Sequence, residues 1–161
     1  MQTATPAYKN TTEIIGGKRL RKDHPILECL GTIDELNAFL GDAKSVLGDK
    51  PSAKIIDTIQ ATLGTIMGVI AGMPVFPETM GEKHINTLIA ELEQELPSFT
   101  SFAVPGTNPA SAKLHIARAV CRRAERRLIS LGLDEEVEQA IAPYINRLSY
   151  LLFLLAQKEA G

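Results

Sequence analysis

Ile26-Leu27-Glu28-Cys29-Leu30-Gly31-Thr32-Ile33-Asp34-Glu35-Leu36-Asn37-Ala38-Phe39-Leu40-Gly41-Asp42-Ala43-Lys44-Ser45-Val46 is the stretch that decides the fold. Leu27, Leu30, Ile33, Leu36, Leu40 and Val46 return at close to helical spacing, and Gly48 with Pro51 ends the pattern. The same period continues downstream. A second helix is expected from about Pro51 to Met73, carrying Ile55, Ile56, Ile59, Leu63, Ile66, Met67 and Ile70 before Pro74 stops it. A third spans about Glu82 to Leu96, ahead of Pro97. A fourth spans about Pro109 to Leu131, with Asn108 suited to the N-cap, Pro109 to the first helical position and Gly132 to the stop. The fifth begins near the acids Asp134-Glu135-Glu136, which suit a helix N-terminus, and continues to about Ala160, with Pro143 expected to kink or divide it.

Upstream, residues 1 to about 24 are polar and mixed and show no sustained helical period. They read as a loop arm on a single helical-bundle domain, with the arm at 1–24 and the bundle at 25–161. No strand-like alternation of useful length and no repeat is visible, so the expected fold class is all-α, a five-helix up-and-down bundle. At 161 residues the chain can bury one sizeable core, and 45% hydrophobic against 22% charged residues is a globular balance.

A formal net charge of −2 supplies no global basic field for nucleic acid. The N-terminus lacks a basic segment followed by an apolar one, which points to a cytoplasmic protein. The apolar run Leu151 to Ala156 is far short of the ~20 residues of a membrane span. No membrane or nucleic-acid partner is therefore expected. Cys29 and Cys121 lack a C-x-x-C spacing and read as small buried hydrophobes.

Charge is concentrated in the fourth helix, where Lys113 to Arg127 holds six cations and one acid, Glu125. Leu114, Ala117, Cys121, Ala124 and Leu128 form a core seam, while Arg118 and Arg122 share a face one turn apart. Like charges at that spacing disfavour an isolated helix by a few tenths of a kcal/mol. Two readings stay open: a solvated basic face paired with acids elsewhere, or a surface for a multiply charged anion, which guanidinium groups grip bidentately. On the first helix Gly31, Asp34, Ala38 and Gly41 line one narrow face on which Asp34 is the only charge. Asp34 either sits at a packing rim or orients a guanidinium from another helix or subunit. His115, between Leu114 and Ile116, reads as a core-edge histidine, and no Glu-x-x-His pair suggests a di-iron bundle.

Lys22-Asp23, Gly31-Thr32-Ile33-Asp34-Glu35-Leu36-Asn37, Phe102-Ala103-Val104-Pro105-Gly106, Leu114 to Arg126 and Asn146-Arg147-Leu148-Ser149 stand in one order across about residues 10 to 157. In that order they resemble the propanediol-utilisation (PduO) type of ATP:cob(I)alamin adenosyltransferase. The resemblance implies a homotrimer with sites between subunits, where the cobalt of cob(I)alamin attacks the ribose 5′ carbon of ATP and triphosphate leaves, with Mg2+ accompanying the ATP. It implies ATP contacts at Lys22, Arg122, Arg123, Glu125, Arg126 and Asn146, and an interface ion pair between Asp34 and Arg118 that orders the site. Phe102 takes the place of the aromatic that closes the corrin pocket below the cobalt. No metal ligand from the protein is implied.

The sequence departs from that family at its opening. The usual Thr-Lys-Thr-Gly-Asp-x-Gly-x-Thr, whose glycines let backbone amides approach phosphate, is here about Ala4 to Thr12, without either glycine or the acid. Tyr150 stands for a usual Asp, Gln157 and Ile26 for usual arginines. The alternative function is a non-catalytic trimeric relative that binds corrinoid or nucleotide as sensor, carrier or scaffold.

Overall fold

A computed structural model describes residues 10–74, 81–97 and 103–161. Two short strands, β1 (Thr11–Glu13) and β2 (Arg19–Arg21), precede five helices: α1 (Pro25–Leu47), α2 (Pro51–Ile70), α3 (Glu82–Glu95), α4 (Pro109–Ile129) and α5 (Glu135–Ala160). The strands were not expected from the sequence. They pair antiparallel, Thr12 opposite Leu20, and three residues are too few to show an alternating pattern. Their turn is closed by the Gly17 N–H donating to the Ile14 carbonyl at 3.1 Å. Gly16 and Gly17 both lie at positive φ, +85° and +78°, which a side chain would resist.

Two helix starts are capped by side chains, that of α4 by the expected Asn108 and that of α1 by His24, which the sequence reading did not single out. His24 Nδ1 accepts from the Ile26 N–H at the head of α1, and Asn108 Oδ1 accepts from the Ser111 N–H at the head of α4, with Pro109 at the first position. Helix ends come slightly earlier than the apolar pattern suggests. α2 stops at Ile70 because Gly72, at φ +107°, lets its N–H reach the Val69 carbonyl while the Met73 N–H reaches that of Gly68. Pro143 does not divide α5, which runs unbroken through it.

Side-chain contacts between helices report their directions. Glu28 to Arg127 and Asp42 to Lys113 set α1 and α4 antiparallel. Asn86 to Arg147 and Glu95 to Lys158 set α3 parallel to α5. The helices alternate up and down, and across the bundle they lie in the order α2, α1, α4, α5, α3. One core joins them through Ile33, Leu36 and Leu40 of α1, Ile56, Ile59 and Leu63 of α2, Ile89 of α3, Leu114 and Leu128 of α4, and Ile141 and Leu148 of α5. Among the described helices α2 alone is long and apolar enough to suit a membrane span, yet Ile56, Ile59, Leu63 and Ile66 are packed inside the bundle. Cys29 and Cys121 are both free and fully buried. Burial pushes the Cys29 thiol up to about 11 and that of Cys121 higher still.

Candidate active site

Antiparallel packing of α1 against α4 sorts the basic run into two groups. Lys113, Arg123 and Arg127 face α1 and are taken by Asp42 (2.5 Å), Glu35 and Glu28 (3.3 Å). Arg118, Arg122 and Arg126, four residues apart, project away from α1, and among the described residues no ion pair holds any of them. Arg122 and Arg126 are exposed and Arg118 half-buried. The Arg118 Nε is itself buried with no acceptor, an expensive state for a charged donor. Among the described residues the stripe is therefore a set of cations without counterions.

Beside it on α5 lies Asn146, whose Nδ2 donates to Glu125 Oε1 at 2.7 Å. These two line a shallow pocket of about 300 Å³ with Glu138 and Pro143. Further along the α4–α5 seam His115 is 5% exposed, meets the Phe153 ring edge-on at 6.3 Å and has no partner for Nδ1. Burial, with Arg118 nearby, holds its pKa below the ordinary value, so the ring is neutral at physiological pH. Asn108 at the head of α4 and Arg122 are 14 residues apart, about 21 Å along the helix axis.

On the other side of the bundle the outer face of α1 is bare. Gly31, Asp34 and Ala38 are exposed, and Asp34 forms no ion pair among the described residues. The hairpin folds over the end of this face and leaves an apolar groove of about 580 Å³, bounded by Ile14, Ile15, Leu27, Gly31 and Met67 with Asp34 among its lining residues. The sequence reading had missed this groove; its only trace was the pair Ile14-Ile15 ahead of Gly16-Gly17. Asp34 and Arg118 sit on different faces and are not brought together in one protomer.

A family model for cobalamin adenosyltransferase matches residues 6–159. The chain belongs to the cobalamin adenosyltransferase family. It is 35% identical over 156 residues to the corrinoid adenosyltransferase PduO of Salmonella typhimurium, covering 92% of this chain and 46% of that protein. The chain thus spans about half the length of that relative. A Bacillus subtilis corrinoid adenosyltransferase is 35% identical over 161 residues, with 92% and 81% covered. Among solved structures, a variant PduO-type ATP:corrinoid adenosyltransferase from Lactobacillus reuteri, complexed with cobalamin and ATP, superposes with a TM-score of 0.85 at 28% identity, covering 94% of this chain and 88% of that one.

Within this family member, the residues expected to hold ATP fall into three surroundings. Arg122 and Arg126 lie on the unpaired stripe with Glu125 and Asn146 adjacent. Arg123 donates through one Nη to Glu35, which engages part of its guanidinium and leaves its other donors open. Lys22 closes the hairpin, its N–H donating to the Asn10 carbonyl at 2.8 Å. Phe102 lies outside the described residues, as does the altered loop before Asn10. Tyr150 faces α3, where its hydroxyl donates to Glu93 at 2.8 Å and its ring stacks on Phe153. That hydrogen bond to a carboxylate raises the Tyr150 pKa. Among the described residues no three His, Cys, Asp or Glu side chains converge to hold a metal.

Proposed function

We propose that the protein is an ATP:cob(I)alamin adenosyltransferase that works as a homotrimer with its sites between protomers. The observation that carries this reading is the division of α4, which leaves Arg118, Arg122 and Arg126 without acids while every neighbouring cation on the α1 side is paired. A second protomer supplies what one lacks: its Asp34 meets Arg118, and its hairpin arm closes over the nucleotide held by Arg122, Arg126, Glu125 and Asn146, with Lys22 contributed from the arm. The bare small-residue face around Gly31 and Ala38 permits that close approach.

In the reaction the electron pair donated by cobalt forms the cobalt–carbon bond as the bond from the 5′ carbon to the triphosphate oxygen breaks, and the pair of that broken bond leaves with triphosphate. Cob(I)alamin is already a strong nucleophile and needs no general base. The arginines stabilise the negative charge that grows on the leaving group, and Mg2+ rides on the triphosphate. Phe102 closes the lower face of the corrin and keeps water from the cobalt. A cytoplasmic setting suits a reaction that consumes ATP.

A second reading, a trimeric relative that binds without turnover, is favoured by Ala7 and Asn10, which stand where phosphate-binding glycines are usual. Anaerobic cob(I)alamin mixed with Mg-ATP and the protein decides between them. Growth of the adenosylcobalamin spectrum supports the enzyme; a stable cob(I)alamin spectrum with ATP bound supports the alternative.

A further inference from the structure

The segment that enters α4 is fastened in an unusual way. Asn108 uses both ends of its amide: Oδ1 caps α4, and Nδ2 donates to the backbone carbonyl of Glu159 at 2.5 Å. The Glu159 side chain, 4% exposed, accepts from Ser52 Oγ at 2.6 Å and Lys50 Nζ at 2.7 Å. The loop is thereby tied to the last turn of α5, and that turn to the first turn of α2. Burial pushes the Glu159 carboxyl up, but the hydrogen bonds from Lys50 and Ser52 outweigh it and leave the pKa below the ordinary carboxylate value.

The loop itself has little else. Val104 is 81% exposed, Gly106 stands at φ +111°, and no backbone hydrogen bond joins residues 103–107 to one another or to another described residue. Six residues before Asn108 the chain carries Phe102, which the proposed function places against the corrin, whereas Arg122 is about 21 Å further along α4.

We propose that Asn108, Glu159, Lys50 and Ser52 are positioning residues for the corrinoid, fixing the loop that enters α4 from three different helices without touching either substrate. The proposal rests on the adenosyltransferase reading for what the loop holds. Loosening the network spoils the corrin side of the site and leaves the nucleotide side intact.

Asn108→Asp tests this, because Asp caps a helix as well as Asn does but offers an acceptor where the Glu159 carbonyl needs a donor. The expected result is a KM for cob(I)alamin raised on the order of tenfold, the value of one lost hydrogen bond, with the KM for ATP within about twofold of wild type. Lys50→Met attacks the same network from an exposed lysine and should give the same split with a smaller rise, so the test survives a poorly folding Asn108→Asp. An unchanged cob(I)alamin KM, or equal rises in both KM values, overturns the proposal. If the wild-type protein makes no adenosylcobalamin, the functional reading falls by itself. Equilibrium dialysis with cob(II)alamin in the presence of Mg-ATP then decides the network: weaker corrinoid binding by the variants supports it, and equal binding overturns it.

Discussion

Asp34 and Arg118 give the most direct access to the intersubunit site, through Asp34→Ala, Arg118→Ala and the double variant. In one protomer the Arg118 Nε is buried without an acceptor and Asp34 is exposed without a cation, so neither residue contributes an ion pair to the fold of the single chain. If they meet across the interface, each contact is a charge-assisted hydrogen bond worth about 1.5–3 kcal/mol, or roughly ten- to hundredfold in association per interface. A closed trimer contains three such contacts. Either single variant should therefore shift the trimer to smaller species at micromolar concentration, and the double variant should do little more than one single variant. Sedimentation velocity across a dilution series measures the assembly, and the cob(I)alamin spectral assay measures activity in parallel. Arg127→Ala is the control, because Arg127 is exposed and paired with Glu28 in its own chain; such surface pairs are worth about 0–1 kcal/mol. Additivity of the two single variants to within about 0.5 kcal/mol would refute the contact. So would equal losses of activity in Arg118→Ala and Arg127→Ala.

The remaining predictions concern the arm, the corrin loop and acid stability. Ala7→Gly, Tyr8→Asp and Asn10→Gly together restore the phosphate-binding pattern and should tighten ATP by about 1.5–3 kcal/mol for each amide bond regained; titration calorimetry reading no gain counts against a role for the arm. Phe102→Ala should lower turnover with ATP affinity nearly unchanged, and normal turnover would end its assignment to the corrin face. Because the folded Glu159 carboxyl titrates below its ordinary 4.5, its stabilisation is present above that value and is lost as pH falls through the lower, folded value. Urea unfolding between about pH 6 and about pH 3 should therefore show a steeper loss for wild type than for Glu159→Gln, and parallel curves would contradict the assignment.

Long apolar periods made the helices readable. Ile33, Leu36 and Leu40, or Ile56, Ile59 and Leu63, repeat often enough to overrule local ambiguity, and Asn108-Pro109 announces its helix by cap chemistry alone. The hairpin was not readable, because three-residue strands carry no period, although Gly16-Gly17 marked its turn. Helix ends moved inward where a glycine such as Gly72 adopts the left-handed conformation and captures the last carbonyls, an event that apolar spacing does not register. Within the candidate site, the sequence showed that α4 is crowded with cations but not which are free. That depends on the antiparallel register with α1, which sets Glu28, Glu35 and Asp42 against Arg127, Arg123 and Lys113. Tyr150 illustrates the same limit: its position in the Asn-Arg-Leu-Ser motif is legible, whereas its hydrogen bond to Glu93 belongs to the docking of α3.

The division of α4 also explains how a helix with so many like charges persists. Arg118, Arg122 and Arg126 repel one another at four-residue spacing by a few tenths of a kcal/mol per pair, and no ion pair among the described residues offsets that. The opposite face does the holding: Leu114, Ala117, Cys121, Ala124 and Leu128 are all 1% exposed or less, and burial of apolar side chains of that size outweighs the repulsion several times over. The helix can therefore present an uncompensated cationic stripe because its stability is set elsewhere, by the core and by the three ion pairs to α1. In the proposed reaction a polyphosphate at this stripe meets guanidinium groups that no ion pair among the described residues engages, so no such pair has to break at Arg118, Arg122 or Arg126. Arg123 differs, since one of its terminal nitrogens already donates to Glu35, so in the proposed site it offers a nucleotide fewer free donors than Arg122 or Arg126 does.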